Sequence, residues 1–309
     1  MDLSFTPEQE ELRAQARSFL SETPEPTWAQ LSELGWTGVS VPEELGGAGL
    51  GFVEQGILHE ETGRALVHTP FWSTLGVALV ALPPAEQARV ASGEASWALA
   101  LGDLVPDLDT VTNVAVVRGD GVHELVGFER ELLETTDGTR PLGRIVGGET
   151  GALLAGTDVL PAVRMRSLAS LALEACGVGH HALELAIAFV SEREQFGRRI
   201  GSYQAVAHPL ADAYMGLELA RSLALWAAWC IAAGDEQAPV AAAAAKAQAA
   251  EAAVFACERS IQAHGGIGFT WEHPLHRYYK RALWIQSWEA SGAELRAEVA
   301  ASLFGGEGA

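Results

Sequence analysis

Apolar residues recur every three to four positions at both ends of the chain and in short alternating runs in its middle, so the pattern predicts helices, then strands, then helices. Near the start, Phe5, Leu12, Ala16 and Leu20 share one helical face, and Thr6 followed by Pro7 supplies a helix start. A second helix passes through Trp28, Leu31 and Leu34 and stops at Gly35; a glycine loop over 44–51 then leads into a helix at about 52–64. In the middle, Val111-Thr-Asn-Val-Ala-Val-Val117, Val122-His-Glu-Leu-Val126 and Arg144-Ile-Val146 are short, β-branched and bounded by Gly-Asp or Asp-Gly turns. Beyond Met165 the helical period returns, predicting helices at 167–196, 203–233, 239–264 and about 274–284, and a last one to about 304. Leu183, Ile187 and Val190 fall on one face of the first of these, and Leu210, Tyr214, Leu217 and Ala224 on one face of the second. Gly197, Gly234 and Gly265 stand where the helices should stop. The predicted fold class is mainly α with a small β-domain: an N-terminal helical domain over 1–95, a shortened β-domain over 96–163 and a C-terminal helical bundle over 164–309.

Composition supports the helices, since alanine and leucine dominate, most densely in Pro239-Val-Ala-Ala-Ala-Ala-Ala-Lys246. With 309 residues the chain can bury a large core. A formal net charge of -20 argues against nonspecific binding to nucleic acid or an anionic membrane, so an anionic ligand must be met by local arginines. Charged and polar residues break the apolar runs short of the roughly 20 needed to span a bilayer, and Met1-Asp2 opens no secretion signal. The expectation is therefore a cytoplasmic chain with no membrane contact. Cys176, Cys230 and Cys257 lie far apart and read as buried thiols. His180-His181 has no partners at ligand spacing, so no metal is expected.

Two segments carry chemistry. Arg193-Glu-Gln195-Phe196-Gly197 offers a planar fork of charged donors suited to phosphate oxygens. Gln262-Ala-His-Gly265-Gly266-Ile-Gly268 offers glycine amides that let backbone approach a ligand closely. Together these segments resemble the signatures of acyl-CoA dehydrogenases. The likeness takes in Ile200, Gln204 and His208, and it continues through Phe269-Thr-Trp-Glu-His-Pro274 to Trp288-Glu289-Ala290. It reappears in Phe5-Thr-Pro-Glu-Gln-Glu-Glu-Leu12, Leu34-Gly-Trp36 and Val41-Pro-Glu-Glu-Leu-Gly-Gly47. The resemblance implies a β-domain between two helical ones. It also implies that Arg193, Gln195, Phe196, Gln262, Gly265 and Gly266 bind the ADP half of an FAD shared across a subunit interface, with Arg-x-Gln-Phe-Gly closing a long helix.

The same resemblance implies that Glu289 is the base that removes the α-proton of an acyl thioester while the β-hydride passes to the flavin. Trp284, Ile285 and Trp288 around it would raise its pKa by desolvation. The family's usual Glu-Gly-Thr is Glu289-Ala290-Ser291 here, and the minority base position near Ser167 holds no carboxylate. The middle of the chain departs further. After Ala98-Leu-Ala-Leu-Gly-Asp103 the sequence passes straight to Val105-Pro-Asp107, so the hairpin that holds the flavin ring in the family is expected to be missing. The split survival of motifs resembles the truncated subunits of heterotetrameric acyl-CoA dehydrogenases of steroid catabolism. It implies a longer homologue as partner, or self-association, with an acyl-CoA substrate and an electron-transfer flavoprotein as acceptor. The alternatives are a noncatalytic scaffold subunit, or a flavin-free lyase or hydratase using Glu289 on an acyl thioester.

Overall fold

The computed structural model describes residues 4–305. Its N-terminal part is built from α1 (Pro7–Glu22), α2 (Trp28–Glu33), α3 (Phe52–Arg64), a π-helical segment at Trp72–Ala78 and α4 (Pro84–Ala91). α1 and α2 each begin with a capping box, Thr6 with Gln9 and Thr27 with Gln30, which satisfies backbone donors that a helix start leaves open. α3 falls over 52–64, where the sequence places it.

The middle of the chain forms a five-stranded sheet in the order β1-β3-β4-β5-β2. Its strands are β1 (Trp97–Ala100), β2 (Val105–Pro106), β3 (Asn113–Arg118), β4 (Gly121–Leu133) and β5 (Leu142–Gly156). β1 and β3 run parallel, with Trp97 opposite Asn113, while β4 and β5 form a long antiparallel hairpin that starts at Gly121 opposite Gly156. Residues alternate across the sheet. Trp97 and Leu99 join the main core, and Ala98, Val114 and Val116 join a smaller one with Val105, Leu108, Val111 and Leu125.

The C-terminal bundle comprises α5 (Leu160–Glu192), α6 (Gln204–Ala233), α7 (Ala238–His264), α8 (Leu275–Ser287) and α9 (Gly292–Phe304). α7 packs against α5, α6, α8 and α9, and its alanines let those neighbours come close. α5 has 33 residues, so it is about 50 Å long. It starts at 160, ahead of the expected 167, and stops at Glu192 rather than 196. Arg193 has extended dihedrals, and the chain turns at once into a tight hairpin of β6 (Glu194–Gln195) and β7 (Arg198–Arg199). Its two turn residues, Phe196 and Gly197, both have positive φ, so the family-like Arg-x-Gln-Phe-Gly stretch is a type I′ hairpin rather than a helix end.

Gly234 caps α6 in the left-handed conformation, as expected; Gly265 ends α7 with a positive φ but an extended ψ. One expectation fails on length. The segments Thr157–Glu192, Gln204–Ala233 and Ala238–Phe269 are each long and apolar enough to cross a membrane by length and composition, because scattered charges do not lower their mean hydropathy enough to exclude it. Here they pack on one another as the bundle. The three cysteines are buried and unpaired.

Candidate functional site

α5 and α7 run side by side in the same direction. Gly179 lies against Ala253, and further along Phe189 stacks on His264 with ring centroids 4.4 Å apart. Their C-termini therefore emerge at one end of the bundle, and the two segments singled out in the sequence meet there. Arg193, Gln195 and Phe196 project from the hairpin; Gln262 and Gly266 are exposed and Gly265 is half-buried at the end of α7. Among the described residues no carboxylate pairs with Arg193, Arg198 or Arg199. Tyr203 carries Arg198 on its ring face at 3.8 Å and donates its hydroxyl to the Gln195 carbonyl at 3.2 Å, which braces the hairpin. In a chain of charge -20 this end holds three arginines that no described carboxylate pairs, although Glu192 and Glu194 lie beside Arg193 in the sequence.

It is also unusually apolar for an exposed surface. Phe196 is 93% exposed, Trp271 78% and Phe269 74%. A β-carbon on Gly266 would meet nothing within 4 Å, so its backbone is open to an incoming group. An unpaired guanidinium, the exposed Gln262 amide, a Gln195 amide that spends one donor on the Glu194 carbonyl at 2.7 Å, the open backbone at Gly266 and an exposed ring fit a diphosphate joined to a flat heterocycle.

Glu289 stands elsewhere. It lines a cavity of about 910 Å³ where the π-helical segment, β1, the loop 101–104, the start of α5 and the end of α8 converge. The wall is largely aromatic: Trp284 stacks on Trp288 at 4.8 Å, and Trp72 meets Trp284 edge-on at 5.6 Å. Leu99, Leu104, Leu142, Leu160 and Val163 complete an apolar pocket with Asp103, Arg144 and Arg164 at its polar positions. Glu289 as a whole residue is exposed, and it lines this cavity. Burial raises its pKa, opposed by a hydrogen bond donated by the Ser167 hydroxyl and by the charges of Lys246 and Arg164. Its φ of 63° is in the left-handed region, where a side chain is strained.

Ser167 lies near the start of α5 and Arg193 just past its end. They are about 39 Å apart along the helix axis, which is longer than an extended dinucleotide. The structure thus gathers Arg193, Gln195, Phe196, Gln262, Gly265 and Gly266 at one end and leaves Glu289 at the other.

Beneath the cavity is a buried ionic network that the sequence did not disclose. Arg281 of α8 donates to Asp137 at 2.7 Å and to Glu174 of α5 at 2.5 Å, and Arg140 donates to Glu174 at 2.8 Å. The Arg140 guanidinium lies 5.2 Å from the Trp72 ring and 4.9 Å from that of Trp284, so the network holds two walls of the pocket. Asp137-Gly-Thr-Arg140 reads as an ordinary turn; its partners are more than thirty residues away, and no local pattern names them. His180 is satisfied by the Cys176 carbonyl and Glu218. Among the described residues no group of three or more His, Cys, Asp or Glu is placed to hold a metal.

The acyl-CoA dehydrogenase N-terminal domain family matches residues 6–88, and the acyl-CoA dehydrogenase C-terminal domain family matches residues 164–304. Acyl-CoA dehydrogenase IpdE2 of Mycobacterium tuberculosis is 36% identical over 266 residues, covering 84% of this chain and 80% of that protein. Near-equal shares mean that this relative is of similar length. Among solved structures, a variant of the Tcur3481-Tcur3483 steroid ACAD is similar with a TM-score of 0.86 at 28% identity, covering 97% of this chain and 98% of that one. The ChsE4-ChsE5 complex from Mycobacterium tuberculosis gives a TM-score of 0.89 at 24% identity, covering 100% of both chains, a likeness that carries the fold.

A small sheet between two helical regions is the acyl-CoA dehydrogenase fold, and the family that the matches show is one of FAD-using oxidoreductases. The chain belongs to the acyl-CoA dehydrogenase family.

Proposed function

We propose that this chain is one subunit of a heteromeric, FAD-dependent acyl-CoA dehydrogenase that converts an acyl thioester to its α,β-unsaturated form. Arg193, Gln195, Phe196, Gln262, Gly265 and Gly266 hold the ADP half of an FAD whose ring lies in a longer homologous partner. The observation that carries this reading is the separation of the clamp from Glu289 by most of α5. One dinucleotide cannot serve both ends of one chain, whereas a cofactor shared across an interface needs only one.

When bound, the FAD supplies the acceptor for the β-hydride. The chain's own contribution at that site is binding: Arg193 neutralises diphosphate charge, Gln195 and Gln262 donate amide hydrogens, and Phe196 covers an apolar face. In the aromatic cavity Glu289 is the group placed to take the α-proton of an acyl ligand, its pKa raised toward that of a working base. The name steroid ACAD carried by the Tcur3481-Tcur3483 relative and the apolar pocket support a bulky ring-bearing acyl group, and the ChsE4-ChsE5 complex supports a partner of the same family. An electron-transfer flavoprotein as acceptor and a cytoplasmic setting complete the reading.

Co-expression with a longer homologue should give a yellow complex. Arg193→Ala in that complex should weaken FAD binding by about 1.5–3 kcal/mol, the value of a hydrogen bond to a charged group. Stoichiometric FAD on the purified chain alone, reduced by an acyl-CoA, would overturn the shared-site reading; retention of full FAD affinity by Arg193→Ala would favour a scaffold.

A further inference from the structure

We propose that Lys246 is a positioning residue for Glu289: its ammonium ties down the turn at 286–290 and so fixes the direction in which the carboxylate enters the cavity. Lys246 lies in the first half of α7 with none of its surface exposed. Its Nζ donates to the carbonyls of Gln286 at 3.2 Å and Trp288 at 3.0 Å, and also to that of Ala290. An ammonium has three hydrogens, so these three acceptors use all of them.

The three carbonyls alternate along the chain and bracket Glu289. The Ala290 amide donates back to the Trp288 carbonyl at 2.8 Å, closing a turn of residues two apart around Glu289 with φ of 63°. That is the uncommon γ-turn of positive φ, a conformation that persists only where its surroundings impose it. Nothing in the sequence of the turn favours it, because Glu289 is neither glycine nor asparagine. What imposes it is the buried cation below. Among the described residues no carboxylate is hydrogen-bonded to Lys246, which separates it from an ordinary buried ion pair.

Several charged groups bear on this arrangement. Burial pulls the Lys246 pKa down to about 8, Glu289 of the turn and Glu294 of α9 oppose the fall, and Arg164 of α5 adds to it. On the other side Ser167 donates to the Glu289 carboxylate. The Lys246 charge also lowers the Glu289 pKa against the rise from burial, so the same ammonium sets both the direction and the acidity of the group it positions.

The test is hydrogen–deuterium exchange of the peptide covering 286–291 in Lys246→Met and Lys246→Gln, in the full chain. The expected result is exchange in Lys246→Met roughly ten- to a hundredfold faster than in the unaltered chain, the factor that loss of charge-assisted hydrogen bonds gives, with protection of α5 unchanged. Lys246→Gln, which keeps neutral donors, should fall between; it carries the test if Lys246→Met does not fold. Native protection of 286–291 in either folded variant would overturn the proposal.

Only the activity arm rests on the proposed function. In the flavin-loaded complex Lys246→Gln should lower kcat with little change in KM and move the acidic limb of the pH profile to higher pH. If Glu289→Gln leaves turnover intact while the exchange result stands, the base assignment fails and the positioning role survives.

Discussion

Glu289 combines two features that a purely structural side chain has no use for: a strained backbone and a pKa raised by burial. Its folded value lies above its unfolded one. Its contribution to stability is therefore present below the unfolded carboxylate range and is lost as pH rises through the folded value. Glu289→Gln keeps the shape and removes the charge, so at neutral pH its melting temperature should equal or exceed that of the unaltered protein. Turnover by the complex should fall by roughly 10²- to 10⁴-fold, the usual worth of a positioned base. Thermal melts beside steady-state rates check both; a drop of several degrees at neutral pH would show that the ionised carboxylate holds the fold instead. Ser167→Ala removes a donor to the charged form, and the acidic limb of the rate profile should move to higher pH.

At the scale of elements, glycines that look alike in the sequence do opposite things. A β-carbon on Gly177 of α5 would lie 1.9 Å from the Glu60 carbonyl oxygen of α3, so the two helices cross backbone to backbone and cannot admit a methyl group. Gly177→Ala should lose about 3 kcal/mol in urea unfolding. Gly266→Ala meets nothing and should change stability by no more than about 0.5 kcal/mol, yet lower the FAD content of the complex. If both unfold at the same urea concentration, the close crossing is not what holds α3 to α5.

The same contrast explains what could be read in advance. Helix starts such as Thr6 with Gln9 and the stop at Gly234 are local signals, and the sequence names them. The early end of α5 escaped because Phe196 in a positive-φ turn violates its own preference, and only the β6–β7 pairing accounts for it. Arg193, Gln195, Phe196, Gln262, Gly265 and Gly266 were legible as motif positions. That α5 and α7 carry them to one end became visible only once Phe189 was found stacked on His264. Lys246 left a trace, a single cation closing a run of alanines, but its three carbonyl partners lie about forty residues on.

At the scale of the molecule, the sheet and the bundle are joined through charge where a hydrophobic seam would have sufficed. Asp137 and Arg140 come from the β4–β5 connection, Glu174 from α5 and Arg281 from α8, all buried, with Asp107 and Ser73 extending the network toward β2 and the π-helical segment. Burial alone would raise Asp137 and Glu174; Arg281 with the Thr139 hydrogen bonds more than offsets it at Asp137, Arg140 and Arg281 more than offset it at Glu174, and both pKa values lie below the usual range. Their stability is therefore present above the unfolded carboxylate range and is lost as pH falls through the depressed folded values. Asp107 goes the other way, because burial outweighs Arg140 and the Ser73 hydroxyl, so protonating it does not weaken the fold. Arg281→Met removes the charge common to Asp137 and Glu174 and leaves two acids buried without it, an arrangement that costs about 3–5 kcal/mol. Its acid-unfolding midpoint, followed by far-UV circular dichroism, should move to higher pH as the two carboxylates regain ordinary or raised values. The cavity should feel the same change, since Arg140 depends on Glu174 for its place between Trp72 and Trp284. A variant that unfolds at the native pH midpoint would mean that apolar packing, and not this network, fixes the sheet against the bundle and gives the pocket its walls.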